Sequence, residues 1–358
     1  MNIKKFLKKG KIQNYSAYIL VIAAYIIVSA ISAGGGLSSM YKGLLVPICA
    51  YVVMALSLNL TVGILGELSL GHAGFMSVGA FTGVAVSIAL RDVITAPWLL
   101  LTISMICGAV MAGVFGILIG IPVLRLNGDY LAIVTLAFGE IIKSLFTNLY
   151  LGIDPDGVLR FGLVNKPEAL TVGSKMLING ATGVSGVQKI STFTAGIVLI
   201  LVALVIIFHT VRSRTGRAIM AIRDNRIAAE CVGINVTKYK MTAFVMSAAI
   251  AGAAGALYSL NYSTVEARKF DFNTSILILV FVVLGGQGNM IGSIIAATVL
   301  TILPEALREF ADYRMLVYAI VLIIIMLVTN NPNFKMLTAR LRKEIGNKMK
   351  KNRKEEVK

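Results

Sequence analysis

Few side chains in this sequence could do chemistry inside its long apolar runs, and the clearest are Glu140 and Lys143. Both lie in the run 130–150, three positions apart. A charge at such a depth of a membrane helix is expensive and marks a candidate functional site, and residues three apart share one face of a helix. We therefore expect the two side chains to pair. Two interpretations stay open: the pair neutralises itself in the bundle interior and fixes helix packing, or it takes part in gating or proton movement.

The remaining residues with catalytic or ligand chemistry do not form a recognisable site. The sequence has no Ser-His-Asp or Cys-His grouping and no Walker A phosphate loop. Its three cysteines are far apart, and His72 and His209 do not lie at a metal-ligand spacing. We expect no catalytic residue, metal site or cofactor on this chain, which makes a membrane enzyme the weakest interpretation. His72 is either a packed polar residue near an interface or a substrate ligand.

Two glycine-rich segments interrupt the apolar pattern at corresponding places in the two halves of the chain. They read TVGILGELSLGHAGFMSVGAFTG (61–83) and VLGGQGNMIGSIIAA (283–297). Backbone that leaves the helix inside a bilayer is tolerated where protein or a water-filled cavity satisfies it, and paired interruptions point to a translocation path and an internal repeat. Close helix packing through small residues is the alternative. The candidate path residues are Gly71, His72, Gly74, Glu140, Gly285 and Gly286.

The stretch GRAIMAIRDNRIAAECVGINVTKYK (216–240) is polar and basic, although it lies between two apolar runs. Residues 217–232 are good helix formers, and Gly233 suits the left-handed position after a helix. Ile227, Cys231 and Ile234 follow at helical spacing, with arginines on the polar side. The pattern predicts one short amphipathic helix, which either lies on lipid headgroups or docks into a groove of a partner protein.

The elements that must position these residues are membrane helices. Of the 358 residues, 57% are hydrophobic and 14% are charged, whereas a soluble domain has about 25% charged residues. Since one crossing needs about 20 apolar residues, we predict an all-α polytopic membrane protein with about ten spans. The spans cover 16–33, 43–62, 72–90, 97–124, 130–150, 190–211, 241–262, 275–285, 291–303 and 316–329.

The basic residues predict the orientation and explain the net charge of +17. Five Lys or Arg precede residue 16, seven lie in 212–240 and ten follow residue 330. Such clusters beside apolar spans mark cytoplasmic loops near anionic lipid, so we do not expect nucleic-acid binding. Six spans before 212–240 and four after it place both termini inside and the loop 151–189 outside. We divide the chain into a basic cytoplasmic tail (1–15), a membrane domain (16–330) and a second basic tail (331–358), with the first apolar run a retained helix rather than a signal peptide.

Three motifs resemble the branched-chain amino acid ABC transporter permeases of the LivM type. They read LRLNGDYLAIVTLAFGEIIKSL (124–145), LNLTVGILGELSLGHAGFMSVGAFTG (58–83) and GRAIMAIRDNRIAAECVGINVTKYKMTAFVMSAAIAGAAGALY (216–258). The third resembles the family's ATPase-contacting motif, with Ile227 where many importer permeases have Glu. The resemblance covers about 44–332 and implies a cytoplasmic coupling helix formed by Gly216, Arg217, Arg223, Ala228, Ala229, Glu230 and Gly233.

The resemblance also implies a bacterial importer in the cell (inner) membrane. Two related permease chains would form the path, two cytoplasmic ABC ATPase subunits would bind ATP and the coupling helices, and an extracytoplasmic solute-binding protein would deliver the amino acid. A permease for urea, amides or other amino acids is an alternative within the family. An autonomous secondary transporter that uses Glu140 and Lys143 for ion coupling is an alternative of another class.

Overall fold

A computed structural model describes residues 3–34, 36, 38–124, 129–153, 159–163, 175–307, 319, 320 and 323. The helices in these ranges are α1 Ile3–Ala33, α2 Ser39–Asn59, α3 His72–Leu90, α4 Pro97–Val123, α5 Asp129–Asn148, α6 Phe193–Arg212, α7 Arg214–Asp224, α8 Arg226–Cys231, α9 Val236–Ser259, α10 Phe272–Gly285 and α11 Met290–Ala306. The short strands are β1 Leu149–Ile153, β2 Leu159–Leu163, β3 Lys175–Asn179, β4 Val184–Ser185 and β5 Thr264–Val265.

Seven of these helices, α1 to α6 and α9, are long and apolar enough to cross a membrane. The all-α polytopic class is therefore confirmed, and the span predicted at 72–90 coincides with α3. Helix α11 is a shorter apolar helix and α10 has 14 residues. The span predicted at 316–329 lies almost wholly outside the described residues, so the number ten stays a prediction. The tail 331–358 also lies outside them, whereas residues 3–15 belong to the helix α1.

The chain divides into two compact units, Met1–Val299 and Leu300–Lys358. The first contains every helix up to α10 and most of α11. In the second, the described residues are the end of α11, Leu307 and three helical residues at 319, 320 and 323.

Within the first unit, α9 is the helix around which the others assemble, since it packs against α2, α3 and α4. Its middle reads AAIAGAAGA (248–256). Such small residues let neighbouring helix backbones approach closely, and Gly252 lies directly against Gly79 of α3 and Gly108 of α4. Helix α2, taken with the turn that follows it, is the most deeply covered of the seven long apolar helices, since 89% of its most apolar 18 residues are buried.

Both glycine-rich segments break their helices, as the sequence predicts. Helix α2 gives way at Leu60–Leu65 to a π-helical turn, after which Gly66 adopts a left-handed φ of 84° and the chain stays non-helical until α3. We name residues 60–71 the first break. Residues 286–289 separate α10 from α11 and include Gly286 and Gly288 with φ of 89° and 78°; they form the second break. A π-helical turn often marks a functional site.

The loop predicted at 151–189 forms structure that the sequence pattern did not indicate. Strand β1 follows α5 directly and pairs antiparallel with β2 and β3, in the order β2-β1-β3. Strand β4 pairs antiparallel with β5 beyond α9. The helix that precedes β1 ends at Asn148, so the run predicted to reach residue 150 is slightly too long.

Candidate functional site

The two breaks, which are more than 200 residues apart in sequence, meet in space. The side chain of Asn59, at the end of α2, accepts a hydrogen bond from the Gly288 N–H at 2.8 Å and donates one to Ser293 Oγ at 2.8 Å. Gly63 lies so close to Gly288 that a Cβ on Gly63 would be 2.2 Å from the Gly288 nitrogen. Asn59 and Ser293 are both fully buried. The interrupted backbones therefore satisfy one another inside the protein, as a break within a membrane requires.

His72 lies in the packed interior at the start of α3 and is 2% exposed. Its Nε2 shares a hydrogen bond of 2.7 Å with Ser57 Oγ, and Ser247 Oγ donates to the Ser57 carbonyl at 2.5 Å. The next residue, Ala73, donates its N–H to Ser275 Oγ at 3.1 Å. These contacts tie α2, α3, α9 and α10 together. They favour the interpretation of His72 as a packed polar residue over that of a substrate ligand.

The candidate path residues around His72 lie against α5. Gly71 contacts the Thr135 carbonyl, and Gly74 faces Gly139, the residue before Glu140. Leu70 donates its N–H to Thr135 Oγ1 at 3.1 Å. On the other side, Gly285 packs closely on Ser293 in the first turns of α11. The structure thus places Gly71 and Gly74 against Thr135 and Gly139 of α5, and Gly285 beside Gly286 at the second break.

Glu140 and Lys143 form the expected pair. The Lys143 Nζ donates to Glu140 Oε2 at 3.0 Å. The Lys143 side chain is 28% exposed and the Glu140 side chain 44% exposed. The pair therefore lies on an open side of α5 rather than in the interior of this chain, so the idea that it fixes packing inside the bundle is not supported. In a membrane, a half-exposed ion pair needs a polar surrounding or a covering partner.

The basic segment, residues 212–240, differs from the single helix predicted over 217–232: it forms two helices, α7 and α8. Asn225 separates them with an extended backbone (φ −156°, ψ 105°), and its side chain accepts the Ala228 N–H at 3.1 Å as the N-cap of α8. Helix propensity summed over 217–232 does not predict this division into two helices. The division occurs at Asn225 because Asn favours the capping position over the helix interior. Gly233 has a φ of 83° beyond α8, as predicted for a residue that ends a helix.

Of the apolar residues at helical spacing, Ile227 and Cys231 face away from this chain, as residues that meet lipid or a partner would, whereas Ile234 is partly covered. Ile227, Cys231 and Val232 are exposed, with Ile227 at 74% and Val232 at 75%. The buried residues of the segment's own cluster are instead Ile222, Ala229 and Val236, with Ile234 and Tyr239 partly covered. The apolar side chains at the tip of α8 thus point away from the protein, because Ala229 occupies the inward position.

The other residues implied for coupling have identifiable contacts. Gly216 is buried where α7 starts against the last turn of α6, and Arg217 donates to the Arg212 carbonyl at 3.2 Å. Glu230 pairs with Arg226 at 3.0 Å on the exposed side of α8. Ala228 is exposed.

Arg223 and Lys240 reach from the basic segment to the first break. Arg223 Nη1 donates to the Gly63 carbonyl at 3.0 Å, and Lys240 forms an ion pair with Glu67. The sequence pattern did not single out Lys240 or Asn59. Their partners lie 173 and 229 residues away along the chain. The local signal is weak: Asn59 is a polar residue at the end of an apolar run, and Lys240 is a charged residue at the start of one.

An aromatic cluster lies at the C-terminal end of α9, remote from the basic segment. The rings of Tyr51 and Tyr258 are 5.8 Å apart, and those of Tyr258 and Tyr262 are 5.0 Å apart. Lys269 Nζ lies 5.2 Å from the centre of the Tyr262 ring. The cluster joins α2, α9 and the connection to α10.

Comparison with known proteins gives a consistent result. Residues 40–327 match the family model described as the branched-chain amino acid transport system / permease component. The chain is 35% identical over 286 residues to the high-affinity branched-chain amino acid transport system permease protein LivM of Escherichia coli (strain K12), a match that covers 77% of this chain and 66% of that protein, just under two thirds of its length. It is 26% identical over 295 residues to the permease protein LivH of the same organism (78% and 89% covered). It is 22% identical over 246 residues to the nucleoside ABC transporter permease protein NupC of Lactococcus lactis (65% and 70% covered). No solved structure matches the chain.

Proposed function

The chain belongs to the permease component family of branched-chain amino acid transport systems, and we propose that it forms half of the transmembrane path of an ATP-binding cassette importer for Leu, Ile and Val. This family is one of membrane transport permeases and not one of enzymes. On this proposal the chain hydrolyses nothing itself, and separate ATPase subunits bind the ATP.

The observation that carries the proposal is that the basic segment packs one face on this chain and leaves large apolar side chains of its other face exposed. Its inward face is formed by Ile222, Ala229 and Val236, while Ile227 on α8 and Val232 directly after α8 are exposed. Exposed apolar side chains ringed by charged ones are typical of a protein interaction site. We propose that α8 docks into a groove of a cytoplasmic ATPase subunit.

The meeting of the two breaks supports a transport path in this chain. Discontinuous membrane helices that face each other are the usual setting for translocated solutes. We propose that a second, homologous permease subunit completes the path. The positive-inside rule then places the basic segment and both termini in the cytoplasm of a bacterium, with the loop 151–189 outside, where a solute-binding protein would dock.

The substrate proposal rests on the relatives. LivM and LivH are named for branched-chain amino acids, and NupC for nucleosides. The higher identity to LivM favours the amino acids. Urea, amides and other amino acids remain the alternatives to test.

The first experiment is affinity purification of the tagged chain from its native membrane in mild detergent, with mass spectrometry of the proteins that accompany it. We expect a second permease and ATPase subunits. A matched variant, Ile227→Asp, should retain the second permease and lose the ATPases, because only the exposed tip of α8 changes. Recovery of the chain alone, while a known importer stays assembled, would contradict the proposal.

A second candidate, an autonomous ion-coupled transporter, is favoured by one observation: the half-exposed Glu140–Lys143 pair on α5. On that account Glu140→Gln abolishes uptake driven by an ion gradient. On the importer account the same variant keeps ATP-dependent uptake, and the purified chain alone moves no solute under a proton or sodium gradient.

A further inference from the structure

The basic segment is tied to the first break at two points. One is Arg223, in the last turn of α7, whose guanidinium donates to the Gly63 carbonyl at 3.0 Å. Gly63 lies within the π-helical turn Leu60–Leu65. A π-helical turn displaces carbonyls from the regular α-helical bonding pattern, and Arg223 supplies a donor to one of them from outside the bundle.

The stem of Arg223 also lies over the turn that ends this π-helix. A Cβ placed on Gly66 would be 2.6 Å from Arg223 Cγ. The side chain thus packs along the break before its head reaches Gly63. Asp224 holds the guanidinium from the other side, since Arg223 Nη2 lies 3.2 Å from Asp224 Oδ1. Arg223 is therefore oriented by its own helix toward the break.

The second point is the ion pair between Lys240, in the first turns of α9, and Glu67. The Lys240 side chain is 6% exposed and the Glu67 side chain 17% exposed. A charge so poorly solvated depends strongly on its partner. Glu67 is fixed in turn by its own N–H, which donates to the Thr61 carbonyl at 3.1 Å across the π-helical turn. Movement of the C-terminal end of the basic segment must therefore move the first break or separate a buried ion pair.

The contacts continue from the first break to the second. Gly63, which accepts from Arg223, abuts Gly288. Asn59, one turn earlier, accepts from the Gly288 N–H and donates to Ser293. An unbroken series of packed and hydrogen-bonded groups thus runs from α7 through the first break to the start of α11. Coupling between distant sites needs such a physical connection through elements that can shift.

We propose that Arg223 and Lys240 are positioning residues that carry movement of the basic segment to the paired breaks, so that they set how much solute moves per ATP hydrolysed. This inference rests on the proposed importer function. Neither residue needs to contact the solute, because Arg223 acts through the Gly63 carbonyl and Lys240 acts through the Glu67 side chain.

The test compares Arg223→Ala and Lys240→Met with matched controls in the purified complex with its ATPase subunits, reconstituted in proteoliposomes. The controls are Arg214→Ala and Lys238→Met. Arg214 is an exposed residue at the start of α7, and Lys238 is an exposed residue in the first turn of α9. Three quantities are measured: recovery of the ATPase subunits, ATP hydrolysis, and uptake of radiolabelled leucine. We expect both test variants to retain the subunits and ATP hydrolysis within about twofold of the unmodified complex while uptake per ATP falls at least about tenfold. The controls should match the unmodified complex in all three.

A charge exchange guards against loss of folding. Lys240→Glu and Glu67→Lys each place two like charges together, whereas the double variant restores an opposite pair. We expect the double variant to regain yield and uptake per ATP relative to either single variant. Unchanged uptake per ATP in Arg223→Ala and Lys240→Met would overturn the inference, and so would loss of the ATPase subunits in both, because they would then act in docking. Failure of the unmodified chain to bind an ATPase or import leucine would instead overturn the proposed function itself.

Discussion

Removal of the exposed apolar tip of α8 should weaken the binding of the ATPase without disturbing the fold of this chain. Ile227→Ala deletes three carbons, and at about 0.8 kcal/mol per buried CH₂ they are worth about 2.4 kcal/mol when fully covered. Ile227 is 74% exposed, so a docked partner can still gain about 1.8 kcal/mol by covering it. Since about 1.4 kcal/mol corresponds to a factor of ten, the Kd should rise about 20-fold.

The assay is the binding of the purified ATPase subunit to the chain in lipid nanodiscs, measured by surface plasmon resonance. Val93→Ala is the control, because Val93 is 77% exposed in the connection between α3 and α4 and should leave the Kd unchanged. Ala229→Arg makes a useful contrast. Ala229 is 3% exposed within the inner cluster, so an arginine there should disrupt the basic segment itself and lower its stability. An Ile227→Ala variant that binds the ATPase as tightly as the unmodified chain would refute the assignment of α8 as the docking surface.

Three further predictions concern topology and stability. Cys231 is exposed on α8, whereas Cys49 is buried in α2. A membrane-impermeant maleimide should therefore label Cys231 in inside-out vesicles only, and a bound ATPase subunit should protect Cys231 from the label. Labelling of Cys231 from the outside of whole cells would reverse the proposed orientation. Asn59→Ala removes both side-chain hydrogen bonds between the breaks and should lower the free energy of unfolding by about 1–3 kcal/mol. This loss should appear as a lower thermal unfolding midpoint in detergent, whereas Asn148→Ala, at an exposed position, should leave the midpoint unchanged. An Asn59→Ala midpoint equal to that of the unmodified chain would contradict the bridging role of Asn59. A Cβ on Gly233 would meet no neighbouring atom, but the backbone there has a φ of 83°. Gly233→Ala should therefore lower the free energy of unfolding by about 1–2 kcal/mol through backbone strain alone. Gly43 also has open space around it but lies in a helix, so Gly43→Ala should be neutral or stabilising in the same unfolding assay.

The features that follow from local pattern were predictable. Helix α3 begins and ends where the apolar run does, because a span has a fixed minimum length. Glu140 and Lys143 pair because helix geometry places residues three apart on one face. The two breaks occur where glycines cluster, and Gly233 ends α8 in the left-handed conformation.

The features that depend on distant partners were not predictable from one sequence. Residues 217–232 have good helix propensity, yet Asn225 divides them because its side chain caps α8 and Ala229 can then reach Ile222 and Val236. The inward position belongs to Ala229 rather than to the larger Ile227, and apolar spacing alone does not show which of the two is buried. The links of Lys240 and Asn59 join positions far apart in the chain, and helical or strand periodicity carries no information about such pairs.

The proposed import of branched-chain amino acids is tested by leucine uptake into proteoliposomes that contain the complete complex, with the solute-binding protein outside and ATP inside. We expect uptake of leucine to require ATP and the binding protein, to persist when proton and sodium gradients are dissipated, and to be competed by isoleucine and valine. Leucine uptake by this chain alone, driven by an ion gradient and abolished by Glu140→Gln, would refute the importer function.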